Sequence, residues 1–313
     1  MFRKITAIMV VFMFCFATLV SAQSVSQLTI MDKLAVLENS VYGTAQTGAI
    51  MERVSGLEVD FYGAKTNKSI VEKVDALYDS IFVIVNGQPS ALARLNAIEW
   101  SITHSVTGTP IKERVDNLEN MLNGHVKAGS LQDRITTLAN IAFPSGEIAL
   151  QEAVIPADTL IKISIITPLD SKNSVVGEKV EYQAAEDIII GGTLVVPKGS
   201  KGMGTISKVE RAQNFGRDAK LEVSFDSIST IDGDQLAVIL GDKAKQEMEH
   251  MALAAGASIA GMALLGPVGI VTGVFVKGKD IKIPVGSEMY LQTKAEQSIA
   301  GIQVGNTSVA MNN

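Results

Sequence analysis

Six basic residues recur at near-constant spacing in the first half of the chain: Lys33, Arg53, Lys73, Arg94, Arg114 and Arg134. A row of bases at fixed intervals could meet an anionic polymer such as a cell-wall glycan. It could equally be a solvated face whose members pair with nearby acids. Other reactive chemistry is sparse. The three histidines, His104, His125 and His250, have no metal-ligand spacing. Gly256-Ala257-Ser258-Ile259-Ala260 lacks the second glycine of a nucleophile elbow. Gly199-Ser200-Lys201-Gly202-Met203-Gly204 follows a proline corner and precedes a strand, whereas a phosphate loop opens a helix. No catalytic residue, metal ligand or cofactor site is expected, and the chain reads as a non-enzyme.

The bases sit in a repeat. Six segments begin at Ile30, Ile50, Ile70, Ala91, Ile111 and Leu131, and each carries an apolar anchor two helical turns on: Leu37, Leu57, Leu77, Ile98, Leu118 and Leu138. The interval between successive anchors is constant, except that it is longer by one between Leu77 and Ile98. The segments therefore form an array of similar units. Within a unit such as Ile111, Val115, Leu118 and Leu122 the apolar positions make one helical stripe. Ser69 with Glu72 and Ser130 with Asp133 resemble capping boxes, and Thr109-Pro110 marks a first helical turn. Gly43, Gly63 and Gly124 mark helix ends. Each unit is thus a helix of about 12–14 residues that is marginal alone and must bury its stripe. Tyr42, Tyr62, Phe82, Trp100 and Phe143, near the helix ends, are read as packing residues.

From about Ala153 the pattern changes to short β-branched runs: Thr159–Thr167, Lys179–Ala185, Leu194–Val196, Met203–Val209, Leu221–Ile228, Gln235–Leu240 and Glu288–Thr293. Such runs at close spacing predict a barrel or sandwich. Ile155-Pro156-Ala157-Asp158-Thr159, Val196-Pro197-Lys198-Gly199-Ser200 and Ile283-Pro284-Val285-Gly286-Ser287 share one pattern and read as three equivalent corners. The fold class is therefore α+β: an array of short helices, then a β-barrel or sandwich with an inserted Gly-rich helical hairpin. The expected divisions are a signal peptide over 1–22, the six-unit array over 23–148, the β domain over 149–302 and a tail over 303–313.

The signal peptide is read from Arg3 and Lys4, the uncharged core from Ile5 to Val20, and Val20-Ser21-Ala22 before a cut at Gln23. Its removal takes away Cys15, the one cysteine, and leaves an acidic chain without disulfide or thiolate chemistry. An acidic balance argues against nucleic acid as partner.

Met251 to Val276 carries no charge and holds Gly256, Gly261, Gly266, Gly269 and Gly273 among small residues. This spacing permits close helix contact, as in membranes, and Pro267 breaks the segment into two. Three readings stay open: a glycine-zipper hairpin at the outer membrane, a buried hairpin packed on the β domain, or a single span. Lys243, Lys245, Glu247 and Glu249 before it and Lys277, Lys279 and Asp280 after it suggest that both ends return to one aqueous side.

Two resemblances follow from these residues. The order Leu194-Val195-Val196-Pro197-Lys198-Gly199-Ser200, Gly204, Asn214-Phe215-Gly216-Arg217, Leu221–Phe225 and Ile231-Asp232-Gly233 resembles the β domain of the TrbI-like envelope channel proteins of conjugation and type IV secretion. That resemblance implies a β fold, an envelope setting and a helical hairpin between strands that reaches the outer membrane. The family's cytoplasmic tail and inner-membrane helix are not matched, so the channel role is not carried over. The array resembles surface repeats of the form (R/K)-x-x-x-L-E-x-x-x-(Y/F)-G in outer-membrane-bearing Firmicutes, as in Lys33, Leu37, Glu38, Tyr42, Gly43 and in Arg53, Leu57, Glu58, Tyr62, Gly63. That second resemblance implies no activity.

The reading is an exported, non-enzymatic bacterial envelope protein of the periplasm, outer membrane or cell surface. Its expected partners are the outer membrane, the cell wall or a second copy of the chain. The alternatives are a soluble periplasmic carbohydrate- or peptidoglycan-binding protein or hydrolase, and a subunit of a secretion channel.

Overall fold

The computed structural model describes residues 28–212, 219–254 and 280–304. Six helices come first: α1 (Ile30–Tyr42), α2 (Ile50–Tyr62), α3 (Ile70–Phe82), α4 (Ala91–Thr103), α5 (Ile111–Asn123) and α6 (Leu131–Ala142). Their starts follow local rules. Thr29 with Asp32 and Ser69 with Glu72 form reciprocal capping boxes. The Ser90 and Ser130 hydroxyls accept from the backbone N–H groups of Ala93 and Asp133. Pro110 is the N-cap of α5 itself and not a residue of its first turn. Its carbonyl accepts from Arg114 N–H while no side chain caps the helix. At the other ends Gly43, Gly63 and Gly124 take the left-handed conformation, as does His104 after α4.

The units do not line up as an extended rod. α1 packs on α3 and α5, α2 on α3 and α6, and α4 on α3, α5 and α6. The anchors Leu37, Leu57, Leu77, Ile98, Leu118 and Leu138 share one core. Each helix buries a stripe that could not hold it in water alone.

The strands follow: β1 (Leu150–Ile155), β2 (Leu160–Ile165), β3 (Leu169–Asp170), β4 (Lys179–Ala184), β5 (Ile188–Ile190), β6 (Thr193–Val196), β7 (Lys201–Glu210), β8 (Lys220–Ser229), β9 (Gln235–Ile239), then helix α7 (Asp242–Ala254), β10 (Lys282–Ile283), β11 (Glu288–Thr293) and β12 (Gln297–Gln303). A closed antiparallel barrel runs β11-β2-β4-β7-β8-β9, and β9 returns to β11. Beside it lies the sheet β1-β12-β6-β5. The α+β class with a barrel is what the sequence predicts. The periodicity misses β1, β3, β5, β10, β12 and α7. β3, β5 and β10 are too short to alternate visibly. β1 pairs with β12 across the whole domain, a long-range contact that no window of sequence reveals.

The three proline corners are equivalent. Asp158, Gly199 and Gly286 all have positive φ. Their N–H groups donate to the carbonyls of Thr293, Ala184 and Ile165, and the N–H groups of those residues donate back to Thr159, Ser200 and Ser287. Each corner thus carries the chain from β1, β6 or β10 into a barrel strand and clamps the end of the neighbouring strand.

The array sits on one end of the barrel, and α4 makes the joint. Its Asn96 amide donates to the Ile231 carbonyl at 2.9 Å, and the Trp100 indole N–H donates to Asp187 at 3.0 Å. Val106 N–H, just after α4, donates to the Lys198 carbonyl at 2.8 Å. Leu194, Ile231 and Ile302 of the β domain belong to the same core as the array anchors. A Cβ on Gly199, whose φ is +85°, would overlap the Val106 carbonyl oxygen. Gly199→Ala therefore combines a left-handed residue with a clash on the array. The expected loss is about 1–3 kcal/mol or more, read as a lower midpoint in chemical denaturation, while Lys198→Ala should change little.

Candidate functional site

The row of bases is largely an interior feature. Arg53, Lys73, Arg114 and Arg134 each reach back to the glutamate that follows the anchor of the preceding unit: Glu38, Glu58, Glu99 and Glu119. The N···O distances in these pairs are 2.7, 2.6, 2.5 and 2.6 Å. All four glutamates are buried, as are Lys73, Arg114 and Arg134. Each glutamate also accepts a backbone N–H from the loop after its own helix, from Gln46, Thr66, Thr107 and Lys127. One carboxylate therefore ties its own helix, the following loop and the next helix. Arg114 extends the link to Asn96, and Arg134 to Asp116.

The two other bases depart for traceable reasons. The residue fifteen positions before Lys33, where the other bases find their glutamate, is Thr18. Lys33 pairs with Asp75 at 2.6 Å and lies 5.1 Å from the Tyr78 ring centroid. Tyr78 occupies the place where other units carry the glutamate, and the interval from Leu77 to the next anchor is the longer one. Arg94 accordingly has no carboxylate partner among the described residues and donates to the Thr136 hydroxyl. Of the two readings of the row, pairing with nearby acids is the one this geometry supports for five of the six bases. Buried carboxylates take Lys73, Arg114 and Arg134 out of solvent, and buried Glu38 holds Arg53 half-buried. Sequence reasoning missed the glutamates as a set. The signal was there, in the acid directly after an anchor and the base near the start of the next helix.

Electrostatics agree with this geometry. Burial works to raise the Glu58 and Glu119 carboxyls, but hydrogen bonds from Lys73 and Thr66, and from Arg134 and Lys127, outweigh it and hold both below the ordinary value. Burial pulls the Arg114 guanidinium down, with Glu99 opposing.

The other candidate residues, Gly256, Gly261, Gly266, Gly269 and Gly273, lie outside the described residues, as do residues 1–22 and Asn214-Phe215-Gly216-Arg217. What the structure gives is where the segment joins the barrel. β9 ends at Ile239 beside Gln292, near the end of β11. α7 then lies along β11: Ala244 N–H donates to Gln292, Ala244 and Met248 are buried, and Glu247 is close enough to Tyr290 to help raise its phenol, behind burial as the larger cause. The helix therefore runs toward the start of β11. The chain is next described at Asp280, and Lys282–Ile283 pair with β3, just past the end of β2. Both joints of the Gly-rich segment reach the barrel end away from the array. Among the described residues no helix is long and apolar enough to cross a membrane, and no cluster of metal-ligating side chains occurs.

No family model matches the chain, and no curated protein matches it. Among solved structures the chain is similar to ComB10 of the Com type IV secretion system of Helicobacter pylori, at 22% identity over 46% of this chain and 88% of that one, with a TM-score of 0.26. A superposition that loose assigns neither fold nor role.

Two outcomes follow for the buried ion pairs. Glu58→Ala strands the Lys73 ammonium and should cost about 3–5 kcal/mol in chemical denaturation. The apolar pair Glu58→Leu with Lys73→Met should recover most of that loss. The depressed Glu58 and Glu119 carboxyls stabilise the fold above the ordinary glutamate value of 4.5, and that contribution disappears as pH falls through their lower folded values. Thermal melting should therefore be flat at neutral pH and drop below about pH 4.5, with a shallower drop in Glu119→Gln.

Proposed function

We propose that the chain is a non-enzymatic envelope protein of the secretion-apparatus type. In this reading the barrel anchors at a membrane through its Gly-rich segment and presents the helical array at its opposite end. One observation carries the proposal: the joints of the uncharged segment Met251–Val276 and the array lie at opposite ends of one barrel. An apolar segment at one pole and a rigid array at the other suit a membrane-docked spacer or binding arm. The signal-like segment over 1–22 and the TrbI-like order of motifs in the β domain support the same setting. The buried glutamate–base ladder favours a structural array over one that meets a glycan through its bases.

The test is fractionation of the exported full chain. The expected result is recovery with membranes, lost in Leu264→Lys with Ile270→Lys while the melting temperature is kept. A wild-type chain wholly in soluble periplasm, and staying there after crosslinking, would sink the membrane docking.

A further inference from the structure

The array contains a contact between its own turns, and that contact is left open at both ends. Within the chain, α5 starts where α1 ends, and α6 starts where α2 ends. A Cβ on Gly43 would lie 2.6 Å from the Pro110 ring, and one on Gly63 3.4 Å from Ser130. The residues that meet there are sealed. Ile111 and Leu131, which open α5 and α6, are each 2% exposed, and Val41 and Phe61 on the receiving ends are 0% and 1% exposed.

At the ends of the array the equivalent set is sealed only in part: Ile30 is half-buried and Ala142 buried on the array's own core, while the other equivalents and their apolar neighbours face solvent. At the starting end, Ile50 is 38% and Met31 47% exposed, with Met51 and Val71 also exposed. At the finishing end, Leu122 is the repeat equivalent of Val41 and is 38% exposed, beside exposed Met121 and Val126. Gly124 is the equivalent of Gly43, and nothing lies within 4 Å of a Cβ built on it. Repeat proteins ordinarily close their terminal units with polar residues; neither end here does so. The helix starts carry Asp32 and Glu52, while His125 and Lys127 follow the α5 end. Helix dipoles also favour start against finish over two like ends.

We infer that copies of this chain associate head to tail, with the start of α1 in one copy seated on the C-terminal end of α5 in the next. The contact repeats the one that α5 makes on α1 inside the chain. Met31 is the equivalent of Lys112, which lines a groove with Val41 and Tyr42, so Met31 faces Leu122 and Asn123 of the neighbouring copy. Such a heterologous contact builds rings or filaments rather than closed two-fold dimers.

Sedimentation of the full chain in mild detergent over a concentration series tests this. The wild type should grow beyond monomer with concentration. Met31→Lys and Leu122→Lys, both at exposed positions, should each remain monomeric with an unchanged melting temperature. An equimolar mixture of the two variants retains one intact contact and should double in mass without growing further. Three results would overturn the inference: a wild type monomeric throughout, variants that assemble as the wild type does, or a mixture that stays monomeric.

Discussion

A carboxylate buried between two helices has to be satisfied from both, and in this array Glu58 and its equivalents are. Each accepts an N–H from the loop after its helix and a cation from the helix that follows. The cost of desolvating two charges is offset only when geometry and additional hydrogen bonds are complete. Glu119 meets that requirement by accepting from Arg134 and from the Lys127 N–H of the loop between α5 and α6. The repeat period is the chain length over which helix, loop and next helix satisfy that carboxylate.

Where the link lapses, the array changes character. Tyr78 replaces the glutamate, the next interval lengthens, and Arg94 turns to a hydroxyl. The unit that follows is α4, which is buried on nearly every side and carries the joint to the barrel. Arg114 connects the two systems. It binds Glu99 and Asn96, and Asn96 reaches the Ile231 carbonyl of the β domain. The polar network of the array therefore continues into the seam, and the position of the array on the barrel depends on the same kind of bond that links its helices.

The barrel solves a comparable problem by different means. Its strands are entered through corners in which a proline, a left-handed residue and a Ser or Thr recur, and each corner holds the end of a neighbouring strand through a reciprocal pair of backbone bonds. The strand ends are thereby tied, and the turns can carry the array on one side and the Gly-rich insertion on the other.

The local elements were legible from residue order alone. Six anchors at near-constant spacing, Ser and Thr caps, and Gly43, Gly63 and Gly124 placed the helices, because helix periodicity and caps are readable within a single turn. The three Pro-x-(Gly/Asp)-(Ser/Thr) corners were legible for the same reason. What the recurrent bases do was settled by packing. Whether Arg114 faces a polymer or a buried Glu99 depends on how the next helix packs, and one stripe pattern is compatible with both. Packing also settled that α5 stacks on α1, that β1 pairs with β12, and that the array and the joints of the Gly-rich segment lie at opposite barrel ends. These are contacts between residues far apart in the chain, set by burial and closure.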